Sequence, residues 1–192
     1  MDQNEGARLP LRLRSNVRRA YLSMEYPNIL DFEASGFGVE SYPIEVGYAL
    51  SCGERYCTLI KPHPSWRHWD VKAQKIHGIN RDQLNDFGEN VHDVCMDLNQ
   101  RLSGRSLYTD GWVCDKFWLN RLFYCAGIEP QFNLHAIENI QTECQYLLWD
   151  QTRDQLLQEV ELERHRASAD AQFVQRLYAQ TQTLCTRVAA AH

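Results

Sequence analysis

The stretch Asn28-Ile29-Leu30-Asp31-Phe32-Glu33-Ala34-Ser35-Gly36 decides how the rest of the chain is read. Asn28–Glu33 reads as a short strand whose apolar opening points to burial. Side chains two apart on a strand share a face. Asp31 and Glu33 therefore stand side by side, while Phe32 turns into the opposite layer. Ala34-Ser35-Gly36 reads as a turn at the carboxyl end of the strand, the place where open α/β sheets receive ligands. Two adjacent carboxylates repel each other, and burying both is costly unless a cation compensates. A D-x-E pair alone also fits a solvated edge strand. The apolar flank and the terminal turn favour the buried reading.

Outward from this strand the pattern alternates. Ile44, Val46, Tyr48 and Leu50 alternate with Glu45, Gly47 and Ala49, the period of a second strand. Arg55–Ile60 follows through Cys52-Gly53, and so short a turn predicts an antiparallel hairpin. Val91, Val94, Cys95, Leu98 and Leu102 form one helical stripe. Ser106–Thr109 reads as a strand, and a second helical stripe runs from Cys114 to Cys125 until Gly127 and Pro130 stop it. Phe132–Ile137 reads as a fifth strand, and Phe173 to Leu184 as a C-terminal helix. The fold class expected is α/β: a mixed sheet flanked by helices.

Two more acidic positions matter. Asp115 lies early in the helix after the Ser106–Thr109 strand, where the helix dipole favours a carboxylate. Asp110 at the strand–helix junction is the better capping candidate, which leaves Asp115 for another role. In His165-Arg166-Ala167-Ser168-Ala169-Asp170, a continuous helix would separate His165 from Asp170 by about 140°. The two can share a site only if His165 precedes the helix. Ser168 is the expected N-cap, with Asp170 in the first turn. Glu45 is a further acidic residue, but its place on the second strand is explained by structure alone, and it is not included among the site residues.

Length and charge bound the rest. The chain has 192 residues and a formal net charge of −5. That argues against a protein that coats nucleic acid through overall basicity, but not against one that gathers carboxylates around cations. No run of about 18 apolar residues suggests a membrane span, and no secretory signal is evident. Residues 1–23 carry Arg8, Arg12, Arg14, Arg18 and Arg19 and read as a basic arm, with residues 24–192 as the folded domain. The seven cysteines are odd in number and show no C-x-x-C. They read as reduced thiols, which makes the expected location cytoplasmic.

Taken together, the three acidic sites resemble the motifs of the DEDDh 3′→5′ exonuclease family. That family includes the epsilon subunit of DNA polymerase III and ribonuclease T, within the ribonuclease H-like superfamily. Asp31-Phe32-Glu33-Ala34-Ser35-Gly36 is similar to the first motif, Asp115-Lys116-Phe117-Trp118-Leu119 to the second, and His165 to Asp170 to the third. Ile76-His77-Gly78-Ile79 resembles a loop often found between the first two. The second motif is often preceded by His-Asn-Ala-x-Phe; here that stretch is Asp110-Gly111-Trp112-Val113-Cys114, so the Asn position is Gly111.

The resemblance implies a five-stranded mixed sheet with its second strand antiparallel. It implies two Mg²⁺ or Mn²⁺ ions held by Asp31, Glu33, Asp115 and Asp170, with His165 as general base. Asp31 would bridge both ions. Glu33 and Asp170 would hold the one that activates water, and Asp115 the other. The substrate implied is the 3′ end of single-stranded DNA or RNA, released as nucleoside 5′-monophosphates. Expected substrate contacts are Ala34, Phe37, Trp66, His77 and Ile79, with stacking on Phe37. Lys61, Arg67, Lys72, Lys75 and Arg81, interleaved with Trp66 and Trp69, suit a single-strand path. A homodimer is an analogy with some relatives, and no specific protein partner is implied. Competing readings are a nucleic-acid-binding or scaffolding module of the same fold with little activity, or a two-metal phosphohydrolase acting on nucleotides.

Overall fold

The computed structural model describes residues 26–159 and 165–190. The Arg-rich arm expected over residues 1–23 lies outside the described residues. β1 (Ile29–Ala34), β2 (Pro43–Ala49) and β3 (Arg55–Leu59) form an antiparallel ladder. β4 (Ser106–Thr109) adds parallel to β1, and β5 (Asn133–Ala136) parallel to β4. The sheet order is β3-β2-β1-β4-β5, the five-stranded mixed sheet that the sequence led us to expect. The hairpin between β2 and β3 closes where the Gly53 amide donates to the Leu50 carbonyl, with Gly53 at φ 90°.

Every residue of β2 is buried. Its alternation therefore separates two covered faces rather than a core face from a wet one. One face carries Leu30, Phe32, Ile44, Val46 and Tyr48 against α3 (Val91–Leu102) and α4 (Trp112–Ala126), through Val94, Leu98, Trp118 and Leu119. The other carries Ile29 and Ala49 against α6 (Ala167–Ala190), through Ala171, Val174 and Tyr178. Asp31 and Glu33 share the parity of Ile29, so they project onto the α6 side. Gly47 pairs with Asp31 and Glu45 with Glu33 across the ladder. A Cβ on Gly47 would lie 2.3 Å from the Ser168 backbone nitrogen. The missing side chain is what lets the start of α6 settle onto the sheet beside Asp31.

Of two short helices here, α1 (Val71–His77) lies within the basic and aromatic stretch over residues 61–81, and α2 (Arg81–Phe87) begins at its end. Local capping holds both. The Asp70 side chain accepts from the Lys72 amide, and Asn80 and Gln83 form a capping box. α5 (Glu143–Glu159) packs on α6. Its start meets the end of α6 and its end meets the start, since Gln145 reaches the Tyr178 carbonyl while Leu156 packs on Phe173 and Leu177. That antiparallel pairing brings Cys144 and Cys185 to a Cα separation of 5.9 Å, where they form a disulfide. The expectation that every cysteine is a reduced thiol is thus corrected, and with it the ground for a cytoplasmic location. Cys52, Cys57, Cys95, Cys114 and Cys125 are free. Among the described residues no helix is long and apolar enough to cross a membrane.

Candidate active site

Asp31 and Glu33 stand at the carboxyl end of β1, and the turn that follows is tightly specified. Gly36 has φ 138°, and a Cβ there would lie 2.6 Å from His68 Cε1 and 2.8 Å from the Asp70 Cβ. Only glycine accommodates both the backbone angle and the crossing chain. The Ser35 hydroxyl pairs with His68 Nδ1 at 3.0 Å and accepts from the Tyr42 amide at 3.1 Å, and the Asp70 amide donates to the Ser35 carbonyl at 2.8 Å. The segment before α1 is thereby tied to the end of β1.

Asp115 enters from the first turn of α4 and is only 2% exposed. The Thr109 hydroxyl donates to its Oδ2 and itself accepts from the Gly111 amide at 2.9 Å. A strand-end threonine thus orients the carboxylate. Asp110 does not cap α4; the N-cap is Gly111, with no side-chain hydrogen bond. A Cβ on Gly111 would lie 2.9 Å from Asp115 Oδ2, so glycine at this position leaves the carboxylate its room.

His165 and Asp170 come from the opposite layer. α6 begins at Ala167, one residue before the expected cap; Ser168 lies inside the helix and its hydroxyl accepts from Arg55 Nη2 at 3.3 Å. Asp170 is in the first turn, and His165 precedes the helix with φ 65°. The His165 amide donates to Asp170 Oδ2 at 2.8 Å. This turn solves the spacing problem: ligand atoms of Glu33, His165 and Asp170 lie within 4.8 Å of one another.

Asp31, Glu33, Asp115, His165 and Asp170 all line one cavity of about 610 Å³. Of the expected substrate contacts, Ala34, Phe37 and His77 line it as well. Phe37 is 73% exposed at the mouth, 6.3 Å from the Trp118 ring. His77 is buried, its Nδ1 accepts from the Ile79 amide at 3.0 Å, and burial lowers its pKa. The structure does not bring Trp66 or Ile79 to the cavity. Trp66 is 4% exposed and stacks on Tyr42 at 5.0 Å, and Ile79 is a core residue.

The electrostatics follow from crowding acids in a poorly solvated place. Burial raises the Asp31 pKa well above the usual carboxylate range, and Asp115, Glu33, Asp110 and Asp170 add to the effect. Burial, then Asp170, Glu45 and Asp115, push Glu33 to about 8. Burial also raises Asp115 to about 8, against the hydrogen bonds it accepts from Thr109 and the Phe32 backbone. Burial and crowding thus favour the protonated forms of these groups when bare, and a divalent cation would replace those protons. An all-carboxylate set with one imidazole fits hard cations of the Mg²⁺ and Mn²⁺ kind.

Asp110, expected only as a cap, and Arg153, not singled out in the sequence, also line the cavity, as does Lys72 from the expected single-strand path; Glu45, left out of the expected site, forms an ion pair with Arg166. Asp110 was visible as an acid at the end of a strand. The partnership of Glu45 with Arg166 spans 121 positions and leaves no local signal.

No family model matches the sequence, and no curated protein does. Solved structures do match. E. coli exonuclease I bound to a dT13 oligonucleotide aligns with a TM-score of 0.66 at 15% identity, over 86% of this chain and 43% of that one. The fold is ribonuclease H-like. The same enzyme bound to dA16 gives 0.64 at 16% identity over 82% and 41%. Its zinc-bound form with single-stranded DNA gives 0.63 at 18% over 84% and 41%. This chain spans less than half the length of those exonuclease I chains.

Proposed function

We propose that this protein is a divalent-metal-dependent 3′→5′ exonuclease of the DEDDh type acting on single-stranded nucleic acid. The observation that carries the reading is the convergence of Asp31, Glu33, Asp115, Asp170 and His165, from separate parts of the chain, on one cavity at the carboxyl end of β1. The likeness of fold to exonuclease I in complex with oligonucleotides supports it, and those bound strands favour DNA over RNA as the first substrate to try.

In this reading Asp31, Glu33, Asp115 and Asp170 hold two divalent cations. When bound, such ions lower the pKa of water and neutralise charge developing on the phosphate. Thr109 keeps Asp115 aimed at the site, and the turn at Gly36 fixes the end of β1. His165 takes the proton from the attacking water as it adds to the terminal phosphorus. The bond from that phosphorus to the 3′-oxygen of the preceding nucleotide breaks, and the nucleotide leaves with its 5′-phosphate. Phe37 at the mouth offers a face for a base.

The test is product identification. A single-stranded DNA oligonucleotide is incubated with the protein and Mg²⁺ or Mn²⁺, and its products are separated against standards. Nucleoside 5′-monophosphates are expected. Release of 3′-monophosphates would overturn the mechanism, as would turnover of free nucleotides without cleavage of the strand.

A further inference from the structure

Glu45 is wholly buried on β2, opposite Glu33, and its carboxylate is spent on the residues just after His165. Arg166 donates to it through Nε at 2.9 Å and Nη2 at 2.5 Å, both to Oε1, and the Ala167 amide donates to Oε2 at 2.9 Å. Removing a carboxylate from water is costly and is repaid only by close, charge-assisted hydrogen bonds, which here come from the two residues that follow His165.

His165 belongs to no regular element and has φ 65°, a conformation that disfavours any residue with a Cβ. Asp170 needs no such help, because Ala171, Phe173, Val174 and Leu177 hold its helix in the core. We infer that the Glu45–Arg166 pair is a latch that positions the His165 ring over Glu33 and Asp170. Glu45 and Arg166 are thus positioning residues for the proton transfer, acting through His165. Gly47, next but one to Glu45, admits the backbone of residues 167 and 168 and so completes the seat.

The role in proton transfer rests on the exonuclease reading; the mechanical role does not, and the two are tested separately. Arg166→Lys keeps the charge and removes the planar fork. It is compared with wild type, His165→Ala and the double variant on a single-stranded oligonucleotide. We expect Arg166→Lys to lower kcat about 10-fold or more with KM within about twofold, and the double variant to be no slower than His165→Ala beyond about twofold. Losses that multiply in the double variant, or a wild-type kcat in Arg166→Lys, would overturn the latch.

Amide hydrogen exchange needs no activity. In Arg166→Lys the His165 and Ala167 amides should exchange about 10-fold faster, with residues 173–177 unchanged. Equal loss of protection along all of α6 would show the pair merely stabilising the helix. A wild type that cuts nothing while the exchange result holds would remove the exonuclease reading and leave the latch.

Discussion

The two halves of the candidate site are built by different means. Asp31 and Glu33 are part of a central strand, paired to β2 on one side and flanked by β4 on the other. Their positions follow from the sheet and change only if the sheet does. His165 stands in a left-handed turn outside any regular element; its amide donates to Asp170 Oδ2, the adjacent Arg166 is paired with Glu45, and the start of α6 lies close against Gly47. In the proposed reaction, acids that would share two cations gain from a rigid strand, and a base that would meet a moving proton is set on a turn whose geometry depends on side chains elsewhere. The strand half should therefore be sensitive at the residues themselves, and the turn half at residues that never touch the substrate.

Substitution in the strand half should have the largest effect. Asp31→Ala removes the acid shared by the whole cluster, and kcat should fall about 1000-fold or more. Because it also removes one acid from a crowded, buried cluster, the metal-free variant should melt no lower than wild type at neutral pH; a drop of several degrees would show Asp31 to be a structural acid instead. Next comes the seam between the halves. Gly47→Ala puts a Cβ 2.3 Å from the Ser168 nitrogen. It should cost about 1–3 kcal/mol of stability and reduce kcat, with thermal melting and turnover read on the same samples. A neutral outcome would mean that α6 is not seated through Gly47.

Titration separates the halves by charge. The folded chain holds Glu33 near pH 8 rather than 4.5, so without metal it keeps protons that the unfolded chain has released. The stability those protons confer is complete below about pH 4.5 and is lost as pH rises to about 8. Asp31 and Asp115 shift in the same direction. The melting temperature of metal-free protein should decline across that window, and saturating Mg²⁺ should remove the decline. A flat profile in EDTA would contradict the clustered acids. Smallest of all, Phe37→Ala lies outside both halves. It should weaken oligonucleotide binding by about 1 kcal/mol, read as a higher KM with kcat unchanged.

The same division explains what the sequence disclosed. The strand half was legible because alternation and a D-x-E pair are local patterns, and the sheet around Ile29–Ala34 came out as expected. The turn half was legible only as a spacing. It required His165 before the helix but did not reveal the Glu45–Arg166 contact, which joins residues distant in the chain. Helices α1 and α2 escaped because each has only seven residues and depends on capping by Asp70 and Asn80. The Cys144–Cys185 link escaped because it arises from the antiparallel packing of α5 on α6. Trp66 looked like part of a strand path beside Arg67, yet a ring stacked on Tyr42 in the core has no face left for a base.

The central claim is tested most directly by direction and metal together. Two 5′-labelled single-stranded DNA oligonucleotides, one with a free 3′ end and one with that end blocked, are digested with Mg²⁺, with EDTA, and by Asp31→Ala. The expected result is a ladder that shortens from the free 3′ end only, absent with EDTA and with the variant. Cutting of the blocked strand, or a ladder that survives either EDTA or Asp31→Ala, would contradict a metal-dependent 3′→5′ exonuclease built on this cavity.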